Sequence, residues 1–85
     1  MAVYVDNARS PFGRMLMCHC VADSRKELLE MMDAIGVNRK WIQKPGTPEE
    51  HFDICLDKRR RAIRLGAHEI DHRRLAGIIQ HKRKD

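Results

Sequence analysis

The sequence lacks a long apolar run and is poor in aromatic residues. Its aromatic residues are two phenylalanines, one tyrosine and one tryptophan among 85 residues, and no apolar stretch reaches the roughly 18 residues that a membrane-spanning helix requires. The mean hydropathy of −0.59 also excludes a membrane protein. The first residues do not combine a basic segment with an apolar one, so we expect no secretion signal and a cytoplasmic location.

The common motifs of small enzymes and of nucleic-acid-binding modules are missing as well. There is no phosphate-binding Walker loop, no G-x-G-x-x-G and no nucleophile elbow. Neither aromatic-rich RNA-binding strands nor a recognisable zinc finger occurs. These absences exclude the best-known signatures and leave open whether the protein is an enzyme.

Cysteine is scarce and unsuited to crosslinking. The three cysteines, Cys18, Cys20 and Cys55, cannot all pair within one chain, and a cytoplasmic setting would keep them reduced. A zinc site made of these cysteines and one histidine is disfavoured, because C-x-C on a strand differs from the C-x₂₋₄-C spacing of structural zinc sites. We interpret the cysteines as small buried residues.

The composition is that of one globular domain with a basic surface. The chain is 42% apolar and 34% charged, with a net charge of +5, so residues 1–85 are predicted to form a single domain. The positive charge favours anionic partners such as nucleotides, nucleic acid or an acidic protein surface. The apolar content of so small a chain also favours a homodimer. Residues 81–85, HKRKD, are expected to form a frayed basic tail.

Hydrophobic periodicity divides the chain into strands and helices in the order β-β-α-β-β-α-β-α. Ser24 and Glu27 form a capping box, and Gly36 ends the helix that follows them. The predicted strands are residues 2–6, 15–22, 37–43, 51–56 and 67–70, and the other two helices lie between Asp57 and Gly66 and after Asp71. The fold is therefore predicted to be α/β, of the α+β kind, with a mixed sheet of about four to five strands and three helices.

The helix between Asp57 and Gly66 carries two cations beside its apolar stripe. Lys58 and Arg59 lie one turn before apolar residues of the stripe. The buried side is predicted to consist of Ala62, Ile63 and Leu65, and the exposed side of Arg60, Arg61 and Arg64. Two cations at a helix start oppose the helix dipole. They therefore indicate an anion site, with the alternative that their methylene stems cover the core while their charged ends stay in water.

A second group of polar residues lies on or beside predicted strands. His19 interrupts an apolar strand, and is interpreted either as a core histidine with satisfied nitrogens or as a ligand or proton-transfer group. His51 and Asp53 share the polar face of a later strand, and Asp6 lies where the first strand ends. Trp41 is assigned to the core because of its size, with a platform for a stacked base as the alternative.

A series of short motifs runs along most of the chain: Val3-Tyr4-Val5-Asp6, Pro11-Phe12-Gly13-Arg14, Met17-Cys18-His19, Asp23, Trp41 with Gln43, His51-Phe52-Asp53, Lys58-Arg59 and Gly66-Ala67. In these motifs the chain resembles the Domain of Unknown Function 4031 family of short phage and bacterial proteins. The resemblance extends to Ile70 and leaves the last fifteen residues outside. It implies a product of a phage genome or of a related bacterial gene, and no assigned activity.

Three hypotheses of function follow. In the first, the protein binds an anionic, phosphate-bearing ligand such as a nucleotide or nucleotide signal, without a cofactor. The ligand-binding residues would be Arg14, His19, His51, Asp53, Lys58 and Arg59. In a phage product, such binding would sequester a nucleotide signal of the host.

The second hypothesis is a metal-dependent phosphodiesterase or nuclease. A divalent ion would be held, and protons transferred, by Asp6, His19, His51 and Asp53. This arrangement requires the ends of three strands to converge. The third hypothesis is a nucleic-acid-binding or protein-binding module with a basic stripe made of Arg60, Arg61, Arg64, Arg73, Arg74 and the tail.

Overall fold

Five short strands form one mixed sheet with helices packed on both of its faces. A computed structural model describes residues 2–83. The strands are β1 (Val3–Val5), β2 (Ser10–Phe12), β3 (Met15–Ala22), β4 (Phe52–Cys55) and β5 (His68–Glu69), and the helices are α1 (Arg25–Ile35), α2 (Leu56–Arg64) and α3 (His72–Arg83). The predicted mixed class, with five strands and three helices, is confirmed.

The central strand of the sheet is β3, the longest strand. It pairs antiparallel with β4 along one edge and with β2 and then β1 along the other. On the outer side of β1, β5 pairs in the parallel sense. In this register His19 lies directly opposite Asp53, so alternation places both side chains on one face of the sheet.

The two faces of the sheet bury different sets of residues. The face that packs on α1 and α2 forms the main core, which includes Val5, Cys20, Leu28, Met32, Phe52, Ile54 and Ala62. The other face carries His19 and Val21, next to Leu75 and Ile79 of α3. The sheet therefore separates α1 and α2 from α3.

The predicted caps of α1 are confirmed. The Ser24 hydroxyl accepts a hydrogen bond from the Glu27 backbone N–H at 3.2 Å and donates one to the Glu27 carboxylate at 2.8 Å. Gly36 ends the helix in the left-handed conformation, with φ of +84°, which costs glycine little because it has no Cβ.

The strand predicted over residues 37–43 is wrong. Arg39–Trp41 form a short 3-10 helix instead, with the Asn38 side chain accepting a hydrogen bond from the Lys40 N–H at 2.9 Å. Only Gln43 pairs as in a strand, opposite His51. As a result Trp41 is not a core residue, and 59% of its surface is exposed.

A further strand, β2, lies in residues 7–14, which are outside all of the predicted strands. Within residues 7–14, β2 pairs antiparallel with the start of β3. Pro11 and Gly13 made this stretch resemble a loop, but proline is tolerated on an edge strand, where its missing N–H has no partner to satisfy. Gly13 occupies the hairpin turn with φ of +60°.

Three further details at helix ends differ from prediction. The α2 helix begins at Leu56, without a side-chain cap, so Asp57 lies in its first turn. Leu65 is 57% exposed rather than part of the buried side. The α3 helix continues to Arg83, so residues 81–83 are helical rather than frayed; Lys84 and Asp85 lie outside the described residues.

Within residues 2–83, no helix combines the length and the apolar character needed to cross a membrane.

Candidate metal centre

Two imidazoles and a carboxylate meet on the face of the sheet that carries α3. His19 comes from β3, Asp53 from β4, and His51 from the residue just before β4. The Asp53 Oδ1 atom lies 3.4 Å from His51 Nε2 and 3.8 Å from His19 Nε2. One candidate ligand atom from each residue lies within 4.8 Å of the other two.

The His19 ring is oriented by Asp6, whose side chain is only 1% exposed. Asp6 Oδ2 lies 2.6 Å from His19 Nδ1, and Oδ1 accepts hydrogen bonds from the backbone N–H groups of His19 and Ala8 at 2.7 and 3.3 Å. An ionised carboxylate accepts only, so Nδ1 is the protonated nitrogen of His19. In the neutral ring, the lone pair on Nε2 is then free and lies on the side of Asp53.

The His51 ring is oriented in the same way by the main chain. Its Nδ1 atom lies 2.7 Å from the carbonyl oxygen of Glu49, and a carbonyl oxygen only accepts. The proton is therefore on Nδ1, and Nε2 again carries the free lone pair. A metal-binding histidine typically donates its second ring N–H to a carboxylate or a backbone carbonyl, and both histidines have this arrangement.

The donor set fits a divalent transition-metal ion. Four ligands about 2.0–2.1 Å from a tetrahedral zinc ion are separated by about 3.3 Å. The separations of 3.4 and 3.8 Å from Asp53 Oδ1 to the two histidines are close to this value. All three ligand atoms lie within 4.8 Å of one another, so the two histidine rings move closer together when they hold such an ion. Imidazole nitrogen and carboxylate oxygen suit zinc, manganese and iron. Three protein ligands leave at least one coordination position open.

The site remains open to small molecules. The side chains of His19, His51 and Asp53 are 35%, 18% and 43% exposed. A cavity of about 200 Å³ lies against the two histidines, and Leu75 and Ile79 of α3 form part of its wall. The fold therefore gives solvent access to the open side of the cluster.

Lys44 also lines this cavity, although no sequence motif indicated a role for it. Its φ of +50° is uncommon for a residue other than glycine, and such backbone strain is often found at functional sites. The ammonium group lies 2.7 Å from a carboxylate oxygen of Glu49. This contact lowers the pKa of Glu49, with a further contribution from Arg83 of α3.

The basic residues predicted for the site are not gathered beside the histidines. Arg59 donates a hydrogen bond to the main-chain carbonyl of Asp6 at 2.7 Å and pairs with Glu69 at 3.2 Å. It supports the end of β1 behind the site. The Lys58 ammonium group lies near Gly36, at the carboxyl end of α1, and α2 packs on the opposite face of the sheet.

Arg14 is also distant from the cluster. It is an exposed residue in the turn between β2 and β3, five residues before His19, which corresponds to about 16 Å along an extended strand. Of the predicted site residues, the structure therefore brings together His19, His51 and Asp53, with Asp6 behind them. The predicted cations Arg14, Lys58 and Arg59 lie elsewhere.

The cysteines do not contribute to the cluster. Cys18 and Cys20 are buried on the face opposite His19. Burial, followed by the nearby charge of Asp6, raises the pKa of the Cys20 thiol to about 12. The thiol therefore stays protonated at neutral pH, whereas zinc binds the thiolate.

The fold and the cluster together define a small α+β protein with a two-histidine, one-carboxylate centre on its sheet. Residues 3–82 match the model of the family described as Protein of unknown function (DUF4031), and the chain belongs to this family. The match includes most of α3, so it extends beyond the Ile70 limit expected from the sequence motifs. Neither a curated protein nor a solved structure matches the chain.

Proposed function

We propose that this protein binds a divalent metal ion through His19, His51 and Asp53 and uses it to hydrolyse a phosphate-bearing substrate. The observation that carries the proposal is that both histidines have Nδ1 engaged and Nε2 free beside the same carboxylate. A nucleotide or a phosphodiester is the substrate class that we expect, because the chain is basic, with a net charge of +5.

The cluster favours a cation over direct binding of an anion. A phosphate group needs hydrogen-bond donors or positive charge around its oxygens. Two Nε2 lone pairs and the Asp53 carboxylate offer only acceptors to the space between them. A metal ion satisfies these acceptors and supplies the positive charge that the cluster itself lacks.

Each residue of the site then has a defined role. His19, His51 and Asp53 bind the ion, and Asp6 positions the His19 ring through the 2.6 Å contact to Nδ1. Lys44 lines the same cavity, and its ammonium group pairs with Glu49 at 2.7 Å; a bound substrate would exchange this carboxylate for a phosphate oxygen. A bound divalent ion supplies hydrolytic chemistry by lowering the pKa of a coordinated water molecule to about 7 in zinc enzymes.

The basic-stripe hypothesis has less support. Arg60, Arg61 and Arg64 are exposed on α2, whereas Arg73 and Arg74 are exposed on α3, and these helices pack on opposite faces of the sheet. Arg60 and Arg61 also lie 4.0 and 3.5 Å from the carboxylate of Asp57. A continuous basic surface across both helices is therefore disfavoured.

Metal binding is tested by titrating the purified, chelator-treated protein with Zn²⁺ and Mn²⁺ in a calorimeter. We expect one ion per chain, and a loss of binding in the variants His51→Ala and Asp53→Asn. His72→Ala and Asp57→Asn are matched controls, because these exposed residues lie outside the cluster, and both should bind like the wild type.

Hydrolysis is tested with bis(p-nitrophenyl) phosphate under the same conditions. We expect turnover that requires the added ion and disappears in His51→Ala. Stoichiometric metal binding without turnover of this compound or of nucleotide substrates would restrict the function to metal-assisted ligand binding. Absence of metal binding in the folded wild-type protein would refute the proposal.

A further inference from the structure

We propose that a groove beside the metal ligands binds the aromatic base of a nucleotide, an inference that rests on the proposed function for the position of the phosphate. The groove, called here the Trp41 groove, has a volume of about 400 Å³ and is formed by Phe12, Met15, Met17, Val37, Trp41 and Gln43. Its volume lies within the roughly 300–1,000 Å³ range of small-molecule sites.

The Trp41 groove contains most of the large apolar surface that the protein exposes. Phe12, Met15 and Trp41 line the groove and are 68%, 47% and 59% exposed. Leu16 alternates with Met15 and Met17 on β3 and lies on the other face of the sheet, where it is 39% exposed. Within residues 2–83, Leu65 is the one other large apolar side chain of this kind. A concentration of exposed apolar residues in a concave surface is typical of a binding site.

The groove is continuous with the metal centre. Asp53 lines the groove and also belongs to the cluster with His19 and His51. Gln43 is joined to His51 by two main-chain hydrogen bonds of 2.8 and 3.1 Å, and directly opposed residues of an antiparallel pair share a face. A ligand held at the metal therefore reaches the groove without crossing the protein.

The chemistry of the groove favours a base over a purely aliphatic ligand. The Phe12 and Trp41 rings offer surfaces for stacking, and bases of any sequence stack on aromatic side chains. The Gln43 side chain adds an amide that pairs with base edges, and its only hydrogen bond within the described residues is a long one of 3.5 Å to the Trp41 carbonyl.

Among the described residues, the one charged residue that lines the groove is the metal ligand Asp53. With its charge offset by the bound ion, the two cations beside the groove favour an anionic occupant over a second copy of this chain. The Lys40 ammonium group lies 4.9 Å from the centre of the Trp41 ring, and Arg14 is exposed in the adjacent hairpin turn. Two copies, each with a net charge of +5, would bring these cations together. A nucleotide instead brings a phosphate of opposite charge.

Trp41 makes the inference directly measurable, because it is the single tryptophan of the chain. Its fluorescence is followed while AMP, or ribose 5-phosphate as the matched ligand without a base, is added in the presence of one equivalent of Zn²⁺. AMP should quench the emission with saturation, and ribose 5-phosphate should not. The variant Phe12→Ala, which keeps the fluorophore, should bind AMP roughly 5- to 150-fold more weakly.

Leu65→Ala is the matched control, because it removes an equally exposed apolar side chain outside the groove. Its affinity for AMP should equal that of the wild type. Stoichiometric Zn²⁺ binding without saturable quenching by AMP would overturn this inference and leave the proposed function intact. A different result would refute the proposed function and still support the groove. In that case the protein binds no metal, but adenosine quenches the Trp41 emission in the wild type and in His51→Ala.

Two further measurements identify the source of the base and the competing occupant. If a trinucleotide binds more than tenfold more tightly than AMP, the base comes from a nucleic-acid strand. Equal affinities indicate a free nucleotide. Either result supports the binding of a base in the groove. Sedimentation as a dimer that Phe12→Ala dissociates, without quenching by AMP, would assign the groove to a second copy of the chain and overturn the inference.

Discussion

The carboxylate of Asp6 contacts His19 twice, at the ring and at the main chain. The carboxylate lies 2.6 Å from Nδ1 and accepts the backbone N–H of the same residue at 2.7 Å. The side chain of Asp6 is 1% exposed, so water competes little for these bonds. The ring of His19 is thus fixed before any ligand arrives, which lowers the cost of binding one.

The first prediction concerns this contact. Replacement Asp6→Asn keeps the size of the side chain but removes its charge and one acceptor oxygen, so the His19 ring is held less firmly. Loss of such a partner typically weakens metal binding by about 10- to 100-fold. Calorimetric titration with Zn²⁺ measures the effect, and the circular dichroism spectrum shows that the fold is retained. If Asp6→Asn binds Zn²⁺ as tightly as the control Asp57→Asn, Asp6 does not position the His19 ring.

The second prediction concerns the core under the site. Phe52 is completely buried between β4 and the helices, and it directly precedes Asp53. Replacement Phe52→Ala should lower the free energy of unfolding by about 3–5 kcal/mol, as measured by urea denaturation. Phe12→Ala removes the same side chain from a 68% exposed position and should change stability by less than about 0.5 kcal/mol. Equal effects of the two substitutions would contradict the assigned burial.

The third prediction concerns the cap of α1. Ser24→Ala removes the hydroxyl that accepts the Glu27 N–H at 3.2 Å, and should reduce the free energy of unfolding by about 1 kcal/mol. Ser10→Ala, on the exposed strand β2, provides the matched serine control and should leave the denaturation midpoint nearly unchanged. If Ser24→Ala is as stable as Ser10→Ala, the Ser24 cap does not stabilise α1.

The fourth prediction concerns alkaline pH. Burial raises the pKa of the Cys20 thiol from its ordinary value of 9.0 to about 12, so the unfolded chain loses this proton first. Stability is therefore fully present below pH 9 and falls by about 1.4 kcal/mol per pH unit between the two values. Urea denaturation at pH 8, 9, 10 and 11 should show a steeper decline for the wild type than for Cys20→Ala. Parallel declines would contradict the assignment.

Local sequence patterns were sufficient for the elements that depend on local interactions. The capping box at Ser24 and the alternation of Phe52 and Ile54 predicted α1 and β4, because caps and burial patterns repeat at fixed spacings. Reliance on local patterns also explains the wrong prediction for the segment around Trp41. Its alternation is typical of a strand, but the Asn38 side chain stabilises a tight turn. Within residues 2–83, no strand pairs with residues 39–41.

The candidate site was predictable in its residues but only in part in its arrangement. The sequence selected His19, His51 and Asp53 by their polar character on apolar strands, and the register of β3 with β4 brings them together. Strand pairing between residues more than 30 positions apart leaves no local signal. The positions of Lys58 and Arg59 depend on which face of the sheet α2 covers. The position of Lys44 depends on a strained loop conformation. A short sequence motif encodes neither the covered face nor the loop conformation.

The nitrogen atoms of His19 and His51 provide the most direct test of the metal centre. Long-range ¹H–¹⁵N correlation spectra identify the protonated nitrogen of each ring and report which nitrogen binds an added ion. In the metal-free protein we expect the proton on Nδ1 of both residues, and one equivalent of Zn²⁺ should shift both Nε2 resonances while leaving the rings of His68 and His72 unaffected. Protons on Nε2, or Nε2 resonances that do not respond to Zn²⁺, would contradict the account.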